Sequence, residues 1–267
     1  MLIASGVTLR LSGRDILHDI DLSARPGAFT AIAGPNGSGK TTLLRALTGE
    51  IAYRGSIRLN GIEIAAGRPA ELAAIRAVLA QATEVAFPFT VLEIVRLGLR
   101  EGTEGQRGDL PSRALAAVGL PGYEGRLIHS LSGGEKQRVH LARALAQVWE
   151  PVGREGPRWL FLDEPVASLD IGHQLMVMRL ARGFADAGGG VVAVMHDLNL
   201  TAMVADHLAL MAGGQIVAQG RPDEVMTDAV LSAAYGCRLA VNRVPGAGPW
   251  LLPQVAGEAA ETLRPAV

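Results

Sequence analysis

The sequence has little cysteine and no excess of charge of either sign. Cys237 is the single cysteine among 267 residues, so no internal disulfide can form, and a reducing compartment is expected. We interpret Cys237 as a small buried hydrophobe. Lysine and arginine number 25 against 26 aspartates and glutamates, a formal net charge of -1. Because this composition creates no broad basic field, it gives no support to nucleic-acid binding.

Long hydrophobic runs are also missing. Hydrophobic residues make up 49% of the chain, enough to bury one large core or two small ones. The most apolar stretches, 191–195 and 202–211, are too short or too interrupted by charged residues to cross a bilayer. The N-terminus has no cationic region before an apolar stretch and does not resemble a secretory signal. We therefore expect a cytoplasmic chain with at most a peripheral membrane role.

The apolar segments that are present predict an α/β fold. Residues 1–30 alternate in short segments separated by Ser-Gly and Pro-Gly pairs, which is typical of an antiparallel β layer. Residues 28–33 form a compact apolar run before a glycine-rich turn, and 41–48 have helical character. Two further apolar runs, 159–162 and 191–195, end in acidic or histidine residues. Such runs are typical of buried parallel strands that carry a site at their carboxyl ends.

The rest of the chain predicts an inserted helical subdomain and a tail. Helical periodicity appears in 91–99, 112–118 and 134–146. Residues 150–157 are polar and rich in proline and glycine, which indicates a loop, and about the last forty residues indicate a loosely ordered segment. We predict one domain over 1–267, with a nucleotide-binding core in 1–84 and 148–225, a helical subdomain in 85–147 and a tail in 226–267.

The glycine-rich turn carries the first chemical motif. Residues 34–41, Gly-Pro-Asn-Gly-Ser-Gly-Lys-Thr, fit G-x-x-x-x-G-K-[ST], a loop whose backbone N–H groups surround phosphate at a helix N-terminus. Lys40 would neutralise the β and γ phosphates, and the Thr41 hydroxyl would bind Mg²⁺. The predicted ATP-binding residues here are Gly34, Pro35, Asn36, Gly37, Ser38, Gly39, Lys40, Thr41 and Thr42.

A pair of carboxylates ends the strand at 159–162. Asp163 is placed to hold Mg²⁺ through water, and Glu164 to orient or deprotonate an attacking water. A strand that ends in Asp-Glu is often only a solvated turn. The phosphate loop upstream favours the catalytic interpretation.

A third motif distinguishes among the P-loop families. Residues 131–138 read Leu-Ser-Gly-Gly-Glu-Lys-Gln-Arg. Ser132 supplies a hydroxyl, Gly133 and Gly134 expose backbone N–H groups, and the following helix offers its positive end to phosphate. The same letters would also simply cap a helix, together with Glu135. Because they follow the phosphate loop and precede the acidic pair, however, these residues resemble the signature of the ATP-binding-cassette family. The resemblance to that family covers about residues 1–225.

The resemblance implies a composite ATPase. In that family the signature closes over the γ-phosphate held by a second protomer, so a homodimer is part of the mechanism. The resemblance assigns Gln81 to sensing Mg²⁺ and the attacking water, residues 168–170 to communication between protomers, and His196 to the γ-phosphate. It therefore predicts ATP and Mg²⁺ as ligands, with Glu164, His196 and Gln81 catalytic and with Thr41, Gln81 and Asp163 at the metal.

The first strand departs from the family pattern. The family places an aromatic residue there to stack on adenine, whereas this chain has Leu9-Arg10-Leu11. Leu9 would offer an apolar surface and Arg10 a planar cation, but neither reproduces a tyrosine ring. We expect looser discrimination between purine bases.

Several stretches resemble the ATPases of importers for iron chelates, haem and cobalamin. They are 169–174, 196–202 and 220–225; residues 86–90 and 144–163 are most similar to the haem importer branch. That branch implies two transmembrane permease subunits, a periplasmic haem-binding protein, no nucleic acid, and a peripheral position on the cytoplasmic face of the bacterial inner membrane. Uptake of ferric siderophore or cobalamin stays open as an alternative cargo.

Two other function classes also stay open. A soluble cassette ATPase acting on DNA or the ribosome usually has two cassettes or a long coiled coil, whereas this chain has one phosphate loop and no sustained heptads. A P-loop kinase is disfavoured by the motif at 131–138.

Overall fold

The computed structural model describes residues 1–81, 87–101, 108–249, 251 and 253. Its strands are β1 (Leu2–Leu11), β2 (Arg14–Ala24), β3 (Phe29–Ala33), β4 (Arg54–Leu59), β5 (Ile62–Glu63), β6 (Arg76–Leu79), β7 (Val152–Gly153), β8 (Gly156–Pro157), β9 (Trp159–Asp163), β10 (Gly190–Val194), β11 (His207–Ala212) and β12 (Gln215–Gly220). Its helices are α1 (Lys40–Leu47), α2 (Pro69–Ile75), α3 (Val91–Glu101), α4 (Leu110–Ala117), α5 (Gly133–Gln147), α6 (Ile171–Asp186), α7 (Leu198–Val204), α8 (Pro222–Val225) and α9 (Asp228–Tyr235).

The N-terminal strands form an antiparallel sheet, as predicted. Its order is β2-β1-β4-β5, so it also includes strands from residues 54–63 that the sequence analysis did not assign. Leu9 faces Leu17 on β2, and Leu2 faces Leu59 on β4. These apolar side chains alternate with polar ones, so the sheet buries one face against the core.

The central sheet has the order β12-β11-β3-β10-β9-β6, and all its neighbouring pairs are parallel except β11 with β12. Every residue of β3, β9 and β10 is buried, as their continuous apolar sequences predict. Ile32, Val194 and Asp163 lie side by side in the register. The segments that follow these strands therefore meet at one edge of the sheet.

Two apolar cores lie on opposite faces of this sheet. Ala31 and Ala33 of β3 belong to the core shared with the helices, and Ile32 between them belongs to the core shared with α1 and the antiparallel sheet. This alternation follows from the two-residue period of a strand.

The predicted inserted helices are present as α3, α4 and α5.

The structure contradicts three expectations from the sequence. The segment at 150–157 contains the β7–β8 hairpin instead of a loop only. The end of the chain is not uniformly loose, because α9 is a regular helix whose Leu231 is buried. Cys237 is exposed, not buried. In the part of the chain that the structure describes, no helix is both long and apolar enough to span a membrane.

Candidate active site

The phosphate loop connects the buried strand β3 to helix α1. Gly34 has a φ of 146°, and a Cβ there would lie 2.1 Å from the Met211 carbonyl oxygen, so any side chain would clash with backbone. Gly39 caps α1 with a left-handed φ of 98°, a conformation that glycine adopts without strain. The loop therefore has its shape because glycines stand at its two ends.

Lys40 is folded back over this loop. Its Nζ donates to the carbonyl oxygens of Gly34 and Pro35, both at 2.9 Å. The residue is 5% exposed, and burial lowers the pKa of Lys40, while Glu164 and Asp163 partly oppose that shift. The ammonium group is thus fixed beside the backbone that would surround phosphate.

Other loop residues differ in their access to solvent. Asn36 and Gly37 are exposed, Pro35 and Thr42 are partly buried, and Ser38 is buried. Among the described residues the Ser38 hydroxyl has no hydrogen-bond partner, so it is available to a ligand.

Asp163 lies where β9 ends, next to the start of α1. Its Oδ1 accepts a hydrogen bond from Thr41 Oγ1 at 3.1 Å. Burial, with smaller contributions from Glu164 and Glu50, raises the pKa of Asp163 to about 6, although the Thr41 hydrogen bond opposes the shift. Because burial penalises the charged form of this carboxylate, a nearby cation would stabilise its ionised state.

A cavity of about 270 Å³ joins these oxygen atoms to Gln81, and Thr41, Asp163 and Gln81 all line it. A hydroxyl, a carboxylate and an amide oxygen are the donor types that Mg²⁺ accepts when phosphates and water complete its octahedron. The residues present therefore fit Mg²⁺.

Glu164 is paired with His196. His196 Nε2 lies 2.5 Å from Glu164 Oε1, and the Glu164 side chain is 13% exposed against 41% for His196. Glu164 has a positive φ of 50° and its N–H donates to the Val194 carbonyl at 3.2 Å. This backbone conformation is uncommon for glutamate.

The signature motif forms the start of α5. Glu135 Oε2 accepts from the Ser132 N–H and Oγ, both at 2.8 Å, and the Ser132 Oγ accepts from Glu135 N–H at 3.3 Å. Tyr123 donates to the other carboxylate oxygen at 2.8 Å. These bonds, with those from Ser132 the largest cause, lower the pKa of Glu135 to about 2. Ser132 and Glu135 thus cap helix α5, as the simpler interpretation of this motif predicts. Ser132 and Gly133 remain exposed.

Two contacts connect α5 to the acidic segment. Gln137 Nε2 donates to the Glu164 carbonyl at 2.9 Å. A Cβ at Gly134 would lie 3.1 Å from the Ser168 carbonyl oxygen, so the helix start packs closely on residues 168–170. Asp170 then caps α6 by accepting from the His173 N–H at 2.9 Å.

Comparison with known proteins identifies this arrangement. The sequence profile of the ABC transporter family matches residues 17–167. The chain belongs to the ABC transporter family. It is similar to curated hemin import ATP-binding proteins: 61% identical to that of Jannaschia sp. (strain CCS1), over 96% of this chain and 95% of the relative, and 58% identical to that of Roseobacter denitrificans, over 95% and 97%.

Solved cassettes of the ABC family share the fold. A dimeric bacterial ABC transporter cassette aligns with a TM-score of 0.72 at 24% identity, over 83% of this chain and 99% of that one. An ADP-bound cassette aligns with a TM-score of 0.71 at 25% identity, over 87% and 97%.

As an ABC ATPase, the chain brings some predicted residues together and leaves others apart. Lys40, Thr41, Asp163, Glu164 and His196 meet at one sheet edge, and Gln81 lines the adjoining cavity. Among the described residues, no hydrogen bond or ion pair joins residues 132–135 to the phosphate loop. Sequence reasoning missed Gln137 as a link to Glu164, although its place inside the signature was a signal.

The structure contradicts the expectation that Leu9 and Arg10 offer a surface to adenine. Leu9 is 4% exposed and belongs to the core under the antiparallel sheet, so it cannot offer a face to a base. Arg10 is occupied by hydrogen bonds to the Gly13 carbonyl and lies 3.6 Å from Asp15. Leu11, at the end of β1, is 42% exposed and is the apolar side chain of the three that a base can reach. Ala86, in the stretch that resembled the haem branch, lies outside the described residues.

Proposed function

We propose that the chain is the ATP-hydrolysing subunit of a bacterial haem importer. The observation that carries this proposal is the near full-length identity to hemin import ATP-binding proteins, 61% with one of them, combined with an intact set of nucleotide motifs. The predicted division into a core at 1–84 and 148–225, a helical subdomain at 85–147 and a tail at 226–267 is part of the proposal.

In the proposed site, the chain's own residues bind and orient the nucleotide. The N–H groups of the loop, Lys40 and the Ser38 hydroxyl hold the phosphates. Thr41, Asp163 and Gln81 hold Mg²⁺, which when bound neutralises charge on the phosphates. The short contact with Glu164 orients the His196 ring towards the γ-phosphate.

Hydrolysis needs a base beside the γ-phosphate. Glu164, mostly buried and fixed by its own backbone bond to Val194, accepts the proton of the attacking water. The Gln137 contact keeps the backbone of Glu164 in register with the signature helix. General-base assistance of this kind is worth roughly 10²–10⁴ in rate.

The second half of each site would come from a second copy of the chain. Ser132 and Gly133 are exposed at the start of α5, whose N-terminal end favours an anion. We infer a homodimer in which this end contacts the γ-phosphate bound by the partner, with Ser132, Gly133, Gly134 and Glu135 forming the contact.

An apolar surface on the helical part fits a membrane permease. Phe87 is 68% exposed and Leu127 47%, and the segments that carry them adjoin, because the His129 side chain contacts the Phe87 carbonyl and Leu127 bridges to Thr90. Exposed apolar side chains on adjoining segments are typical of an interaction surface. Two transmembrane permease subunits and a periplasmic haem-binding protein complete the proposed importer, in which this chain lies on the cytoplasmic face of the bacterial inner membrane.

Reconstitution tests the proposal. The chain is co-purified with the permease, placed in vesicles with the binding protein on the other side, and assayed for uptake of haem, ferric siderophore or cobalamin. Haem uptake that needs ATP on the side of this chain is the expected result, and the Glu164→Gln protein should abolish it. ATP-dependent uptake of only another cargo would refute the haem assignment and keep the motor role; phosphorylation of an added substrate would indicate a kinase.

A further inference from the structure

Helix α5 begins with a negative charge, although its exposed end is proposed to contact a phosphate. Glu135 lies in the first turn, and its Oε2 accepts from the Ser132 hydroxyl at 2.8 Å. Hydrogen bonds from Ser132, and then from Tyr123, lower the pKa of Glu135 to about 2, so the carboxylate is ionised at neutral pH. A phosphate oxygen bonded to the same hydroxyl would lie within about 6 Å of Glu135 Oε2. At that distance salt screens the repulsion between two negative charges only partly.

A tyrosine and an arginine contact this carboxylate. The Tyr123 hydroxyl donates to Glu135 Oε1 at 2.8 Å, and Arg126 Nη1 lies 3.9 Å from the same oxygen. The guanidinium carbon of Arg126 lies 4.4 Å from the centroid of the Tyr123 ring, which is a cation–π distance. The ring thus supports the guanidinium beside the carboxylate. Both contacts are made to Oε1, whereas Ser132 uses Oε2.

The backbone that carries these two side chains is fixed by hydrogen bonds. The Arg126 N–H donates to the Tyr123 carbonyl at 3.0 Å, which closes a turn. Two bonds connect this turn to the start of α3, from the Val91 N–H to the Arg126 carbonyl at 2.9 Å and from the Leu92 N–H to the Glu124 carbonyl at 3.0 Å. Because the backbone is already ordered, the contact with the carboxylate costs only side-chain entropy.

We propose that Tyr123 and Arg126 are positioning residues for the signature: they hold the Glu135 carboxylate in the helix cap and offset its negative charge, so that the exposed start of α5 can accept the γ-phosphate bound by a second copy. Both residues act through Glu135 and not on the nucleotide. The inference rests on the proposed homodimer with ATP in its composite sites.

The dimer dissociation constant measures the effect. It is determined by sedimentation at saturating ATP in the Glu164→Gln protein, with and without Arg126→Gln. Loss of the cation leaves the carboxylate charge uncompensated, which should raise the constant about two- to fivefold for one site, the factor that corresponds to an exposed ion pair. Because a dimer contains two such sites, the total should be about four- to twenty-five-fold. Tyr123→Phe should act in the same direction.

ATP binding by the monomer separates this effect from damage to the phosphate loop. Neither Arg126 nor Tyr123 has a hydrogen bond or an ion pair to that loop among the described residues. The dissociation constant for ATP, measured by titration at protein concentrations below dimer formation, should therefore stay within about twofold of the Glu164→Gln value in both variants.

Removal of the carboxylate charge should reverse the loss. When Glu135→Gln is also present there is no charge to offset, and the amide oxygen can still accept from the Ser132 N–H. Arg126→Gln should then change the dimer dissociation constant by less than about twofold. With the carboxylate retained, added salt should reduce the effect of Arg126→Gln, since salt screens the uncompensated charge. A purely structural role of Arg126 would give the same loss with either residue at position 135.

Arg113→Gln is the matched control. Arg113 also lies over an aromatic ring, 5.2 Å from the centroid of the Trp149 ring, and 3.5 Å from a carboxylate oxygen of Asp109. These contacts involve α4 and not the signature, so the control should leave the dimer dissociation constant at the value of the Glu164→Gln protein.

Two results would overturn the inference. One is an unchanged dimer dissociation constant in Arg126→Gln or Tyr123→Phe, and the other is a loss in Arg126→Gln that Glu135→Gln does not reverse. In both cases the Glu164→Gln protein still dimerises with ATP, so the composite site stands and only this inference fails. If the Glu164→Gln protein does not dimerise with ATP, the proposed composite site fails and this inference fails with it.

Discussion

Replacing Glu164 by glutamine should separate nucleotide binding from hydrolysis. The amide has the size of the carboxylate and can still meet His196 Nε2, now 2.5 Å from Glu164 Oε1. The backbone bonds of residue 164 to Val194 and Gln137 do not depend on its side chain. What is lost is the proton acceptor. The turnover number should therefore fall by roughly 10²–10⁴, while the dissociation constant for ATP stays within about threefold of the wild-type value.

Two assays measure this separation. Phosphate release gives kcat and KM, and equilibrium titration of nucleotide gives the dissociation constant. Glu155→Gln, an exposed glutamate in the β7–β8 hairpin, is the matched control and should retain wild-type turnover. Lys40→Ala should lose ATP binding itself, because it removes the ammonium group beside the loop. Near-normal hydrolysis by Glu164→Gln would remove Glu164 from the mechanism.

Three further outcomes are expected. Saturating ATP should convert Glu164→Gln from monomer to dimer in sedimentation; a monomer under those conditions, with and without the permease, would contradict the composite site. Leu11→Tyr should gain about 0.5–1.5 kcal/mol in ATP binding if the ring stacks on adenine, which lowers the dissociation constant up to roughly tenfold in titrations. The wild-type protein should bind GTP nearly as well as ATP. A strong wild-type preference for ATP would mean that another residue contacts the base. The pKa of Glu135 is lowered from 4.5 to about 2, so the contribution of its carboxylate to stability is present above pH 4.5 and lost as the pH falls towards 2. Glu135→Gln should flatten that part of a Tm-against-pH curve. Identical curves for the two proteins would refute the assignment.

The parts of the site that the sequence predicts are local. The buried strand β3, its glycine-rich loop and helix α1 are contiguous, and the residue types alone require close backbone approach and a phosphate-binding helix end. The meeting of Asp163, Glu164 and His196 at one edge also follows, since parallel strands present their carboxyl ends together. The family resemblance added Gln81, which no local rule singles out.

The parts that the sequence did not predict depend on which face of an element is buried. Alternation in β1 shows that every second residue is buried, but the choice between Leu9 and its neighbours is made by packing on β2 and α1. Likewise, the prolines of the tail indicate a loosely ordered segment, yet the tail begins with an eight-residue helix, α9. Its Leu231 is buried because β11 and its neighbours present an apolar surface. The Gln137 link to Glu164 joins residues 27 positions apart; the place of Gln137 inside the signature marked the residue but not its partner.

The distribution of completed and open contacts supports the proposed link between assembly and hydrolysis. Lys40, Thr41 and Glu164 each have partners within the chain that fix their positions before any ligand binds. Ser132 and Gly133, by contrast, are exposed at a helix end suited to an anion. A single copy thus supplies the base and the phosphate loop but leaves its own signature uncovered. Because Gln137 ties that signature helix to the Glu164 backbone, we expect contact made at the exposed end of the proposed dimer to affect the residue proposed to activate water, and so to couple the two sites.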